Sequence, residues 1–295
     1  MHPCTRRTWI QTLALSAAAG AASPAAFAAQ PLKMGYIHWA DAMAVTHVAK
    51  VVLETRLNQP VQFVTTDIGI QYGSVARGDI DVMLCGWLPT SHGAYVEKHK
   101  ARLDDIGVIY RGGRNGWAVP AYVPESEVAS IADLARPEVK AKFNGLVQGI
   151  EPGGGLMQAS ERTLAAYGLT EAGYKLQPSS EAGMLASLTR AYPSKQWVVA
   201  TVWSPHWLFQ KWPMRYLKDP KGVLGGEEQI HAFGSKAFAG KFPRAHAFLQ
   251  NFKMELADVE AVQLAGETAK SYEQAAKAFV EANPDKVKAW LAPRP

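Results

Sequence analysis

The order in which apolar periodicities alternate along this chain constrains its fold more than any single motif does. Leu32-Lys33-Met34-Gly35-Tyr36-Ile37 reads as a short strand, and Val45, Val48, Ala49 and Leu53 then recur at helical spacing within residues 41–57. Residues 61–64 alternate as a strand does, 72–77 read as a short helix closed by Gly78, and 80–84 form a further strand. Strand-helix-strand-helix-strand order predicts a parallel sheet with helices on its faces, because parallel neighbours need a crossover connection. The pattern restarts at Leu146-Val147, passes through helices at 156–167 and 180–191, and reaches an apolar strand at 197–202. From about Tyr216 the periodicity is helical, with 245–252 and a long run at 258–289. The expected fold class is α/β: two lobes, each a mostly parallel sheet flanked by helices, and a helical tail.

The first residues read as an export leader. Arg6 and Arg7 precede an alanine-rich apolar stretch, and Ala26-Phe27-Ala28 supplies a small-x-small cleavage pattern. With Trp9 and Ile10 following, the arginine pair resembles a twin-arginine signal; an ordinary secretory leader is the alternative. The apolar segment is shorter than the roughly 20 residues of a membrane span. Residues 1–28 are therefore expected to be removed after Ala28, which places the protein in the periplasm. Cys4 would leave with them, so Cys85 has no internal disulfide partner. The formal charge of +5 is slight and not gathered into a basic stripe, so no nucleic-acid partner is expected.

Nine tryptophans remain to be explained. Trp39, Trp87 and Trp203 each follow an expected strand, and ligand sites in open α/β sheets lie at the carboxyl ends of strands. Core packing is the alternative for any one of them, but loops carry sites more often than they carry core. Aromatic faces hold a negative potential, so three converging indoles suit a cation without hydrogen-bond donors, such as a quaternary ammonium. Stacking on a sugar or nucleobase is the competing use. At about 1–2 kcal/mol per face, three would supply about 3–6 kcal/mol, short of the roughly 8 kcal/mol of a micromolar complex. Other groups must grip the rest of the ligand.

Five runs then carry a resemblance: Gly35-Tyr36-Ile37-His38-Trp39-Ala40-Asp41, Gly86-Trp87-Leu88-Pro89-Thr90-Ser91-His92, Gly149-Ile150-Glu151-Pro152-Gly153-Gly154-Gly155, Ser179-Ser180-Glu181-Ala182-Gly183-Met184 and Trp203-Ser204-Pro205-His206-Trp207. In this order they resemble the glycine betaine and choline binding proteins of ABC transporters. The resemblance implies a two-lobed type II periplasmic binding protein fold, with 29–116 and 216–295 as lobe I and 117–215 as lobe II, closing on ligand. It implies an aromatic box of Trp39, Trp87 and Trp203, and a carboxylate held by His92 and the amides of Gly149 and Ile150. It also implies a monomer that docks on a membrane permease, where ATP is used. N–H donors suit a carboxylate. Choline-selective relatives tend to carry an asparagine in the Pro-Gly run and no histidine after the second tryptophan, whereas this chain has Gly154 and His92. Glycine betaine is therefore the expected ligand, with choline, carnitine and proline betaine as alternatives. Delivery to a chemoreceptor is an alternative use.

Asp41 either adds negative charge beside the ammonium or N-caps the helix it opens. Asn115 and Trp117 are weaker site candidates, Glu151 is expected to orient the loop bearing the amides, and His206 reads as lobe structure. An enzyme is the rival class, an exported hydrolase the form considered. The sequence has no His-Glu-x-x-His, no Lys-Ser/Thr after its glycine run and no Gly-x-Ser-x-Gly elbow. No catalysis, cofactor or metal is expected.

Overall fold

A computed structural model describes residues 30–293, together with Met1, so the expected leader beyond Met1 lies outside the described residues. The chain begins β1 (Leu32–Tyr36), α1 (Ala40–Leu57), β2 (Val61–Thr65), α2 (Ile68–Arg77), β3 (Val82–Leu88), α3 (Gly93–His99) and β4 (Leu103–Pro120). After a short 3-10 turn come α4 (Pro137–Lys142), β5 (Leu146–Gln148), α5 (Gly155–Ala166), β6 (Lys175–Gln177), α6 (Glu181–Ala191) and β7 (Val199–Ser204). The remainder is α7 (Leu208–Lys211), β8 (Met214–Tyr216), β9 (Glu227–Ser235), α8 (Phe238–Lys241), α9 (Pro243–Asn251), α10 (Leu256–Ala269), α11 (Tyr272–Ala282) and α12 (Pro284–Trp290).

The strands form one sheet in the order β2-β1-β3-β9-β4-β7-β5-β6, with β8 beside β4. Its outer pairs are parallel, β1 with β2 and β3, and β5 with β6 and β7. Helices α1, α2, α5 and α6 supply the crossovers that such pairs require. Through the middle, β9 and β4 run antiparallel to their neighbours. Strand β4 joins the two parallel units: residues 103–114 pair with β9, and 114–118 pair with β7. Register shifts near Gly107 and Gly113 bend it on the way.

Several expectations change here. The stretch after Tyr216 is not uniformly helical, because β9 lies within it and is central. Its Ile230 and Ala232 alternate inward as a strand requires, but Glu227-Glu228 at its start masks the apolar pattern. Strand β4 has no counterpart among the strands expected above, its signal broken by four glycines and by charges at Asp104, Asp105, Arg111 and Arg114. The run 258–289 is interrupted at Lys270, where φ is +55°, and again before Pro284. Finally, β3 and β7 run on to Leu88 and Ser204, so Trp87 and Trp203 are the penultimate residues of strands and not loop residues.

The core lies on both faces of the sheet. Helix α1 is buried on most sides between the sheet and α10 and α11, which explains a sequence that is apolar nearly all round. Among the described residues, no helix is long and apolar enough to cross a membrane.

Candidate ligand-binding site

Where β1 ends, Trp39 turns the chain into α1 from the N-cap position, in extended conformation at φ −108° and ψ 135°. Asp41 follows in the first helical turn, 1% exposed, where the helix dipole favours negative charge. Its carboxylate makes no cap. Oδ1 accepts from the Trp203 indole N–H at 3.0 Å, and Oδ2 accepts from the Trp87 indole N–H at 3.2 Å and the Tyr110 hydroxyl at 2.9 Å. Burial pushes the Asp41 pKa up, and these donors together with the nearby His206 pull it back. Three donors on two oxygens match an ionised carboxylate, which only accepts. The third indole, Trp39, donates to Glu151 Oε2 at 3.1 Å. All three indole N–H groups thus end on carboxylates, which fixes the rings and polarises them toward more negative faces.

His92 occupies the N-cap position of α3, but its ring turns back and not onto the helix. Nδ1 accepts the Trp87 backbone N–H at 3.1 Å, which assigns the ring proton to Nε2. Burial holds its pKa down to about 3, with the Cys85 carbonyl opposing, so the imidazole is neutral at ordinary pH. The adjoining loop is held from β9. Glu228, fully buried, accepts the backbone N–H groups of Thr90 and Ser91 at 3.1 and 3.0 Å, and the Ser91 hydroxyl at 2.9 Å. Asn115 Nδ2 donates to the same Ser91 oxygen at 2.7 Å.

The opposite wall starts where β5 ends. Gly149 continues the β5–β6 ladder by donating its N–H to the Gln177 carbonyl at 2.9 Å, and it packs against Met157 Sδ. Its amide is therefore occupied, and Gly149 is off the cavity wall, in contrast to the role expected for it. Ile150 is on the wall, its N–H facing only Met157 Sδ, a weak acceptor, at 3.3 Å. Gly154, Gly155 and Leu156 complete that wall at the start of α5, whose first N–H groups have no intrahelical acceptors. A Cβ at Gly155 would run into the Ser91 carbonyl, so glycine permits the close approach of α5 to the Ser91 loop.

Trp39, Asp41, Trp87, Ser91, His92, Asn115, Ile150, Gly154, Gly155, Leu156 and Trp203 surround one space of about 320 Å³, its open mouth included. Of the residues expected to contact ligand, Gly149 and Trp117 are not on its wall, and Glu151 and His206 lie off it as well. Trp117 is fully buried two residues along β4 from Asn115, donating to Ser160 Oγ at 2.8 Å. Sequence reasoning passed over Tyr110, Glu228 and the acceptor role of Glu181, which receives the Ala40 N–H at 3.0 Å. Only Glu181 carried any signal, as part of a run that resembles the family. Among the described residues, no cluster of His, Cys, Asp and Glu is arranged to hold a metal ion.

Residues 30–282 match the family described as the substrate binding domain of ABC-type glycine betaine transport systems. The chain belongs to this family. A glycine betaine/carnitine transport binding protein of Listeria monocytogenes is 35% identical over 156 residues, 53% of this chain and 52% of that protein, so the match spans about half of that relative. A glycine betaine/proline betaine-binding periplasmic protein of Salmonella typhimurium is 22% identical over 76% of each chain. Among solved structures, lactococcal OpuAC in its closed form with glycine betaine is 32% identical with a TM-score of 0.82, covering 89% of this chain and all of that one. A choline binding protein of an ABC transporter, in complex with choline, is 25% identical with a TM-score of 0.82, covering 88% and 91%. The fold of this family member is accordingly the α/β type II periplasmic binding protein fold.

Proposed function

We propose that the protein is the periplasmic, exported binding component of an ABC importer and that it captures glycine betaine or a close betaine. Residues 29–116 and 216–295 act as one lobe and 117–215 as the other, and ligand stabilises the closed arrangement by touching both. One observation carries this reading: three tryptophans whose N–H groups all end on carboxylates share a single cavity with uncommitted N–H donors. The indole faces and Asp41 suit the trimethylammonium. His92 Nε2–H, the Ile150 amide and the first amides of α5 suit the carboxylate. Charge-assisted bonds of about 1.5–3 kcal/mol each, added to the aromatic contribution of about 3–6 kcal/mol, reach the micromolar range. The closed protein would deliver its ligand to a membrane permease and catalyse no reaction itself.

Calorimetric titration with glycine betaine, proline betaine, carnitine, choline and 3,3-dimethylbutanoate tests the reading. The last compound copies the shape of glycine betaine without its positive charge. Binding of glycine betaine with little binding of the isostere that lacks the cation is expected. Equal affinity for the two would remove the cation cage, and binding of a sugar or nucleoside but no quaternary amine would reject the assignment.

A further inference from the structure

Beside the cavity, two carboxylates from the 117–215 lobe grip consecutive residues of the other lobe. Glu151 accepts the Trp39 indole N–H through Oε2 at 3.1 Å, and through Oε1 it accepts the Glu181 backbone N–H at 3.3 Å. Glu181 accepts the Ala40 backbone N–H through Oε2 at 3.0 Å. Its Oε1 lies 3.2 Å from His206 Nε2, within ion-pair distance though poorly aligned for a hydrogen bond. His206 Nδ1 is taken by the Leu208 N–H at 3.0 Å, which leaves the ring proton on Nε2, facing Glu181. Each carboxylate thus has one oxygen held within its own lobe and the other extended across the cleft. Neither Glu151 nor Glu181 lines the cavity.

From this arrangement we infer that Glu151 and Glu181 form a clasp that locks the closed lobes and sets the orientation of Trp39 without touching ligand. The inference rests on the capture function proposed above. Ala40 is the first residue of α1, so its N–H has no acceptor within the helix and finds one only across the cleft. Glu181 is 5% exposed, so the bond forms away from competing water. Because the clasp exists only after closure, it acts on ligand escape and not on encounter. These are positioning residues.

The test uses the whole protein with Glu181→Ala and Glu181→Gln, the latter keeping shape and one acceptor oxygen. Stopped-flow tryptophan fluorescence with glycine betaine should show the dissociation rate rising at least tenfold in Glu181→Ala, the association rate changing less than twofold, and Glu181→Gln falling between. Amide hydrogen exchange at Ala40, measured by NMR, should be slow in the wild type and at least tenfold faster in Glu181→Ala. A wild-type dissociation rate in Glu181→Ala overturns the clasp, as does unchanged Ala40 exchange. If wild type binds no betaine, the exchange measurement still decides: faster Ala40 exchange in Glu181→Ala supports the clasp while the capture function falls, and unchanged exchange overturns both. Should Glu181→Ala fail to fold, the same two readouts on Glu181→Gln decide, with wild-type values in both overturning the clasp.

Discussion

Replacing Asp41 by asparagine isolates what the buried carboxylate does for the cage. Its two oxygens serve three donors, from Trp203 on one side and from Trp87 and Tyr110 on the other. An asparagine keeps one acceptor oxygen and presents an NH2 where the second oxygen stood. In one orientation the amide faces the Trp203 N–H, and in the other it faces both Trp87 and Tyr110, so at least one buried donor is left opposed. An unsatisfied buried donor costs about 1–3 kcal/mol, and the lost negative charge beside the ammonium acts in the same direction. At about 1.4 kcal/mol per decade, affinity for glycine betaine should fall by roughly 5- to 150-fold. Stability should change less, because removing a carboxylate whose own burial is unfavourable offsets part of the loss. Calorimetry with glycine betaine, beside a circular-dichroism melt of the free protein, separates the two effects. Binding within twofold of wild type by a folded Asp41→Asn protein would refute the idea that Asp41 organises the cage.

Three further expectations concern the walls. His92→Ala should weaken glycine betaine more than choline in parallel titrations, since only the former offers a carboxylate to Nε2–H; equal losses would end the carboxylate role. His92 also predicts an acid-side loss of stability: its pKa is about 3 when folded against an ordinary 6.5, so the folded chain resists a proton that the unfolded chain accepts. Stability is then full above the unfolded pKa and falls as pH drops below it, by about 2 kcal/mol at about pH 5. Urea titrations at neutral pH and pH 5 should show a loss larger by about that amount in wild type than in His92→Gln, where His47, its pKa likewise held down to about 4 by burial, still contributes; equal losses in both would contradict it. Gly155→Ala places a methyl against the Ser91 carbonyl and should lower glycine betaine affinity at least tenfold with little change in the melting temperature of the free protein. Wild-type affinity in that variant would show that α5 and the Ser91 loop need not approach so closely.

The outer architecture was readable from local periodicity, because a strand or helix records its own buried face in residues that are neighbours in sequence. The runs β1-α1-β2, β5-α5 and α6-β7 declare themselves in this way, whereas the three-residue β6 is too short to show an alternation; Gly78 ends α2 at φ +82°, where glycine fits without strain. Strands β4 and β9 did not, since their pairing is decided by partners far along the chain and their sequences carry glycines and charges placed for the site. The same division holds for the cavity. Residue type and strand-end placement picked out Trp39, Trp87 and Trp203, and the resemblance of the run from Gly86 to His92 to the family picked out His92. Neither could reveal that Asp41 serves two indoles and a tyrosine, or that Gly149 spends its N–H on β6. Nor could they show that Glu228, 137 residues from Ser91, holds the loop beneath the cage. The sequence by itself determined which elements form and which side chains are fit to cradle a cation. Tertiary structure decided which carboxylate meets which donor, because a buried polar group takes the partner that folding brings within about 3 Å, whatever their separation along the chain.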